Sequence, residues 1–339
     1  NQWPESYFIS PAKFISNGLD IFILNFGTQI DYLKQVAFFF IMLPVKIGLQ
    51  LSVSPYTWGF ELTPFLITAY FIIMMLFASW CFLKFSKDVA IGIILFSIFI
   101  YFGLTNMPWL PLILIYGLIG FKIGGLKLSL TIVASFLFIT FTGVLPQALL
   151  SIYLCGIAVI ISFILGSSLG IWAAHNDKVS AFMRPINDTM QTMPSFVILI
   201  PFVMFFGIGE FTALLAIIAY AFVPAMRYTE HGLRNLPETV IEAARMIGCS
   251  QTQLLWKVKI PLAMPVIMLG LNQTIMFGLA MLVIAALVGT TGLGQLIYIG
   301  LSKADFGTGM ISGVSIALIA IIFDRTTQAW RIKLEKKTQ

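Results

Sequence analysis

Few residues in this chain have side chains suited to chemistry, and they are scattered. Cys81, Cys155 and Cys249 lie far apart, without the close spacing of a metal site or the pattern of a disulfide framework, so they read as small apolar side chains. His175 and His231 are too isolated to form a metal pair and read as surface residues at the ends of apolar runs. No metal site is expected. A Gly-x4-Gly-Lys-Ser/Thr phosphate loop is missing, as is any Gly-Lys dipeptide, so ATP is not cradled here by that route. No nucleophile, base and orienting group converge on one face, which argues against an enzyme.

Two other kinds of pattern remain. Uncharged polar residues interrupt apolar runs: Gln191, Thr192 and Ser195 beside Pro194 and Pro201, and Asn272, Gln273 and Thr274 further on. Broken backbone and polar groups at membrane depth are tolerated where they line a cavity, so these residues are candidates for the wall of a translocation path. The second pattern is the long loop from Tyr228 to Leu262, which reads as ordered helix. Asn235 is placed to cap a helix with Pro237 and Glu238 in its first turn. Val240, Ala243, Ala244 and Ile247 recur at helical spacing, and Gly248 supplies a left-handed corner. Ser250 and Gln253 form a capping box for a second helix, which Pro261 is expected to stop. Small residues on an exposed helix permit close approach by another surface, so the loop reads as a docking element.

The elements that carry these residues are apolar spans. The chain has 339 residues, 59% hydrophobic and 10% charged, against roughly 45–50% and 25% in soluble proteins. Runs at 64–83, 89–105, 107–121, 127–145, 148–174, 190–208, 210–229, 263–289 and 307–325 approach the length needed to cross about 30 Å of hydrocarbon, and such runs must be helical. The fold class is therefore all-α, a polytopic membrane bundle of about nine spans, with eight to ten as the range. Residues 1–34 suit one or two short amphipathic helices, and 36–54, broken by Pro44, Lys46 and Gln50, suits an interfacial helix. No basic and apolar leader opens the sequence, so no signal peptide is expected.

A net charge of +6 does not point to nucleic acid, because the basic residues sit between apolar runs. Lys84, Lys87, Lys122, Lys127, Lys178 and Arg184 fall in alternate loops with Arg227, Arg234, Arg245, Lys257 and Lys259. Arg325, Arg331, Lys333, Lys336 and Lys337 follow at the end. These are sixteen of the 20 basic residues, all on one side, which should be the cytoplasm and hold the C-terminus. The opposite loops carry Glu61, Glu210, Lys303 and Asp305. Acidic residues do not lie deep in the core spans, against an ion-coupled carrier; a channel or secondary carrier is the reading from another class. Gly166-x3-Gly170 can bring helices close, within one subunit or between two.

Glu242-Ala243-Ala244, Gly248 and Val258-Lys259-Ile260-Pro261 resemble the permease signature of bacterial ATP-binding-cassette (ABC) importers, with Val258 and Ile260 as conservative departures. Met190-Gln191-Thr192-Met193-Pro194-Ser195-Phe196, Phe206-Gly207-Ile208-Gly209, Asn272-Gln273-Thr274, Gly292-Leu293-Gly294-Gln295 and Asp324-Arg325 are similar to the permease of glycine betaine/proline betaine importers. The resemblance implies a type I transmembrane domain over 107–330 with its coupling loop at 228–262. Residues 1–106 would add an amphipathic segment and two further spans, and 331–339 a basic tail. It implies that Glu242, Ala243, Ala244, Gly248 and Pro261 engage a separate ATPase. Two ATPase copies would carry the ATP and magnesium, this chain holding no cofactor. It also implies a second permease copy, a bacterial inner membrane location and an external binding protein. Gly292, Leu293, Gly294, Lys303 and Asp305 would form the outer gate or docking surface for that protein. The implied cargo is glycine betaine, proline betaine, choline, carnitine or trimethylamine oxide, with sulfonates, nitrate or methionine as the runner-up.

Overall fold

Apolar runs in lipid must satisfy their amides internally, and among the described residues this chain does so with helices alone. The computed structural model describes residues 11–51, 68, 71–76, 79 and 109–338. Among these residues, five helices are long and apolar enough by length and composition to cross a membrane, counting the stretch Leu112–Phe141, which folds back on itself, as one, or six if one bent pair counts as a span. The spans expected at 64–83 and 89–105 fall largely outside the described residues.

At the N-terminus, α1 (Pro11–Ala37) runs through a π turn, Phe38–Met42, into α2 (Leu43–Leu51), one continuous element in place of the short helices expected for 1–34. It lies across one end of the bundle. Lys34 Nζ donates to the Phe206 carbonyl at 3.0 Å and Lys46 Nζ to Glu210 at 2.5 Å, two anchors about 18 Å apart along the helix that hold one turn of the bundle. Met42 is fully buried between them.

The next element, α3 (Trp109–Phe141), folds back on itself at Gly125, whose φ is +75°. Tyr116 and Phe136 stack at 5.2 Å, which a straight helix would hold about 30 Å apart. The reversal therefore falls in the Lys122–Lys127 loop expected between two spans. Each arm is about 24 Å long, short of a full crossing. Lys333 Nζ donates to the Lys122 carbonyl at 2.6 Å, so this basic turn and the basic C-terminal helix share one end of the molecule.

The centre is built from α4 (Leu145–His175), α7 (Glu210–Arg234), α9 (Ile260–Ile284) and α11 (Phe306–Thr338). Lipid gives no hydrophobic drive for helices to associate, so close approach at small residues must do it. The motif Gly166-x3-Gly170 does this within the chain. A Cβ at Gly166 would sit 2.6 Å from the Phe222 carbonyl oxygen, and one at Gly170 would sit 2.6 Å from that of Met226. Polar bonds lock α9 to α11: Asn272 donates to Asp324 at 2.8 Å and accepts from Thr327 at 2.8 Å, in a buried setting. Asn272→Leu is expected to lower the stability of the solubilised protein by about 1–2 kcal/mol, read as a fall in the midpoint of thermal unfolding.

Three sequence expectations change here. The span expected at 190–208 is a polar helix, α5 (Asp177–Thr192), and a short apolar one, α6 (Ser195–Phe206), bent by 104° at Met193–Pro194. Pro194 restricts Met193 to an extended conformation (φ −69°, ψ 132°), so the helix must end there rather than merely kink. Asn235 does not open a helix; it closes α7, with its side chain on the His231 carbonyl at 2.9 Å, and Pro237 precedes α8 (Glu238–Met246). Pro261 does not stop a helix. The chain is helical from Gln251 to Val288, because a π turn at Leu254–Lys259 displaces the carbonyl that the proline ring would strike. Pro44 follows its own π turn in the same way.

Candidate functional site

The corner between α8 and the Gln251–Val288 helix has the bonding of a complete Schellman motif. Cys249 N–H reaches the Ala244 carbonyl at 3.3 Å and Gly248 N–H the Arg245 carbonyl at 2.9 Å, with Gly248 at φ +84°. The capping box is also formed: Gln253 N–H donates to Ser250 Oγ at 3.3 Å, and Ser250 N–H donates to Gln253 Oε1 at 3.0 Å. Ala244 is buried on the chain's own bundle, whereas Ala243 lines an open groove of about 560 Å³ with Thr239, Glu242, Arg245 and Met246. Met246 and Ile247 at the tip are 89% and 83% exposed. The corner thus holds two large apolar side chains out from the chain's own bundle.

A charged cavity of about 690 Å³ lies between α5 and the end of α7. Arg227 pairs with Asp188 at its wall, while Arg234 pairs with Asp177 at 2.8 Å and Glu230 at 3.0 Å. Ser180 donates to Glu230 at 2.5 Å, and Arg234 also bonds the Ala173 carbonyl at 2.7 Å. Gln191 opens into the cavity together with Arg184, Asn187 and Tyr228. The other expected path residues are dispersed. Thr192 bonds back to Asp188 at 2.9 Å, Pro194 and Ser195 form the bend, and Thr274 bonds back to Gly270 at 2.8 Å. Asn272 is engaged with α11, and Gln273 beside it is partly exposed.

At the other end, the loop expected at 290–306 is largely helical: α10 (Leu293–Ser302) follows the turn at Gly289–Gly292. Leu293 is fully buried, with its N–H on Ser151 Oγ at 2.8 Å, and Gly294 is buried as well. Gly292 (φ +125°) approaches so closely that a Cβ would lie 2.6 Å from Ser151 Oγ. Only Lys303 and Asp305 of the five expected docking residues are exposed. Asp305 caps α11 through Thr308, whose hydroxyl donates at 2.6 Å and whose N–H donates at 3.2 Å, holding the carboxyl below its ordinary range.

Residues 166–331 match the family of binding-protein-dependent transport system inner membrane components. The glycine betaine transport system permease protein OpuAB of Bacillus subtilis is 36% identical over 78% of this chain and 94% of its own length. The chain belongs to this inner membrane component family. The glycine betaine/proline betaine transport system permease protein ProW of Escherichia coli is 40% identical over 67% of this chain and 64% of its own length. The trimethylamine N-oxide transport system permease protein TmoV of Pelagibacter ubique is 42% identical over 66% of this chain but only 31% of its own length. The chain thus spans somewhat less than two thirds of the Escherichia coli relative and about a third of the Pelagibacter one.

Within this family of multi-pass inner membrane components, the matched segment begins at Gly166 and ends at Arg331, so it contains the corner, the charged cavity and both helix locks. The N-terminal helix lies outside it. Sequence reasoning found the corner, because its glycine and capping box are local signals. It missed Asn187, Asp188, Arg227, Tyr228 and Glu230 as one cavity. Those residues come from two stretches about forty positions apart, and each basic one reads alone as an ordinary inner-side charge.

Proposed function

We propose that the chain is the permease subunit of an ABC importer for small quaternary-ammonium or amine-oxide solutes: glycine betaine, proline betaine, choline, carnitine or trimethylamine oxide. The corner at Gly248 carries this reading, since its outward Met246 and Ile247 offer a rigid apolar tip beside Glu242 and Ala243. Two copies of a separate ATPase, which would hold the ATP and magnesium, dock there and drive alternating access in a dimer of this chain. The names of relatives at 36–42% identity support the cargo. The end that gathers Lys122, Arg234, the corner and Lys333 is the cytoplasmic one, by its basic charge. Solute delivered by an external binding protein then enters past the turns at Phe206–Glu210 and Gly289–Gly292, where Lys303 and Asp305 serve docking. It leaves through the charged cavity by Gln191.

Reconstitution with the cognate ATPase and binding protein tests this directly. Uptake of labelled glycine betaine into liposomes should require both partners and ATP. Uptake without an ATPase would overturn the reading. Uptake of methionine, a sulfonate or nitrate instead would keep the machine and overturn the cargo.

A further inference from the structure

At the end of α7 remote from the corner, one carboxylate gathers three other segments of the chain. Glu210 accepts from Lys46 Nζ at 2.5 Å, from Thr291 Oγ1 at 2.9 Å and from Tyr153 Oη at 3.4 Å. These donors sit on α2, on the turn before α10 and on α4. Backbone bonds join the same place, with Gly209 N–H on the Val288 carbonyl at 3.0 Å. The pair is largely withdrawn from solvent, with side chains 21% exposed for Lys46 and 13% for Glu210, so losing one charge leaves the other poorly solvated. A cavity of about 400 Å³ lies alongside, lined by Asp31, Lys34, Gln35, Phe38, Lys46 and Glu210, among others, so the N-terminal helix touches the bundle through a few discrete contacts here rather than a filled interface.

We propose that Glu210 is a positioning residue for transport: with Lys46 it clasps the N-terminal helix over the outer ends of α4 and α7 and holds the outer mouth shut until the ATPases close. This rests on the importer reading above. Glu210 on α7 is bonded at once to α2, α4 and the Gly289–Gly292 turn, so a relative movement of these segments at the outer ends must break one of its bonds. The helix that ends at Val288 begins at the docking corner, so movement there reaches the clasp through continuous backbone.

The test uses the complete reconstituted complex and reads ATP hydrolysis without solute or binding protein alongside solute uptake. Glu210→Gln and Lys46→Met should each raise solute-independent hydrolysis by about fivefold, the low end of couplings between sites, and lower the solute moved per ATP. The exchange Lys46→Glu with Glu210→Lys should restore part of the coupling, which assigns the effect to the attraction between the two charges rather than to either side chain alone. Lys34→Met, which removes only a bond to a carbonyl, should change hydrolysis less. Unchanged basal hydrolysis in both single variants would overturn the proposal, as would failure of both to assemble, since the pair would then only hold the fold. If the unaltered complex shows no ATP-driven uptake, the importer reading itself fails, and that result is distinct from these.

Discussion

Replacing Gly248 with valine is expected to abolish ATP-driven uptake while the protein still inserts into the membrane at its normal level. A Cβ at this position would meet nothing within 4 Å, so the damage is not a clash with a neighbour. It comes from the backbone. At φ +84° an L-residue is held where its own Cβ crowds the chain, at a cost of about 1–2 kcal/mol, more for a β-branched side chain. The cheapest escape is to let φ become negative, which breaks the bonds to Ala244 and Arg245 and swings Met246 and Ile247 out of place. A graded series separates this from any general effect. Gly248→Asn, whose new side chain tolerates the left-handed region, should keep most uptake, Gly248→Ala should keep part, and Gly248→Val none. Membrane level is read by immunoblot and uptake in liposomes; full uptake by the valine variant would show that the corner is not the coupling point.

Gly170→Val is expected to have the opposite profile, with loss of the folded protein itself. Gly170 faces the Met226 carbonyl, Thr229 and the Glu230 amide, and backbone cannot retreat from a new side chain as a flexible tip can. Because α4 and α7 form the most extensively packed helix pair, forcing them apart should cost about 3 kcal/mol or more, the upper end of overpacking penalties. That is a large share of the total stability of most domains. The measurement is the amount of monodisperse protein recovered after solubilisation, which should fall to near zero. Gly156 is the control on the same helix: nothing lies within 4 Å of its missing Cβ, so Gly156→Ala should be recovered at the wild-type amount or above. Equal recovery of the Gly170 and Gly156 variants would show that the packing between α4 and α7 is looser than described.

The features legible in the sequence were those decided over a few residues. Gly248, Ser250 and Gln253 sit in sequence where their backbone bonds form, and the basic pair Lys122 and Lys127 marks the reversal at Gly125. The bend at Met193–Pro194 was legible only in part: Pro194 marks an interruption, but neither a proline nor periodicity reports how sharply the chain turns. Pro261 misled for a related reason. A proline usually ends a helix, and the π turn that lets this one continue has no residue signature of its own. The charged cavity and the Lys46–Glu210 clasp were invisible because they join positions far apart in the chain. No local pattern links Lys46 to a residue 164 positions away.

At 38 residues, the helix from Gln251 to Val288 is about 57 Å long, well beyond the thickness of a hydrocarbon core. Its first turn is the capping box at the corner and its last residue bonds Gly209, so a single stretch of continuous helix joins the two ends of the molecule. On the importer reading proposed above, a tilt imposed at the corner would be carried along this helix to the turn at Gly289–Gly292, less whatever change of pitch the π turn at Leu254–Lys259 takes up.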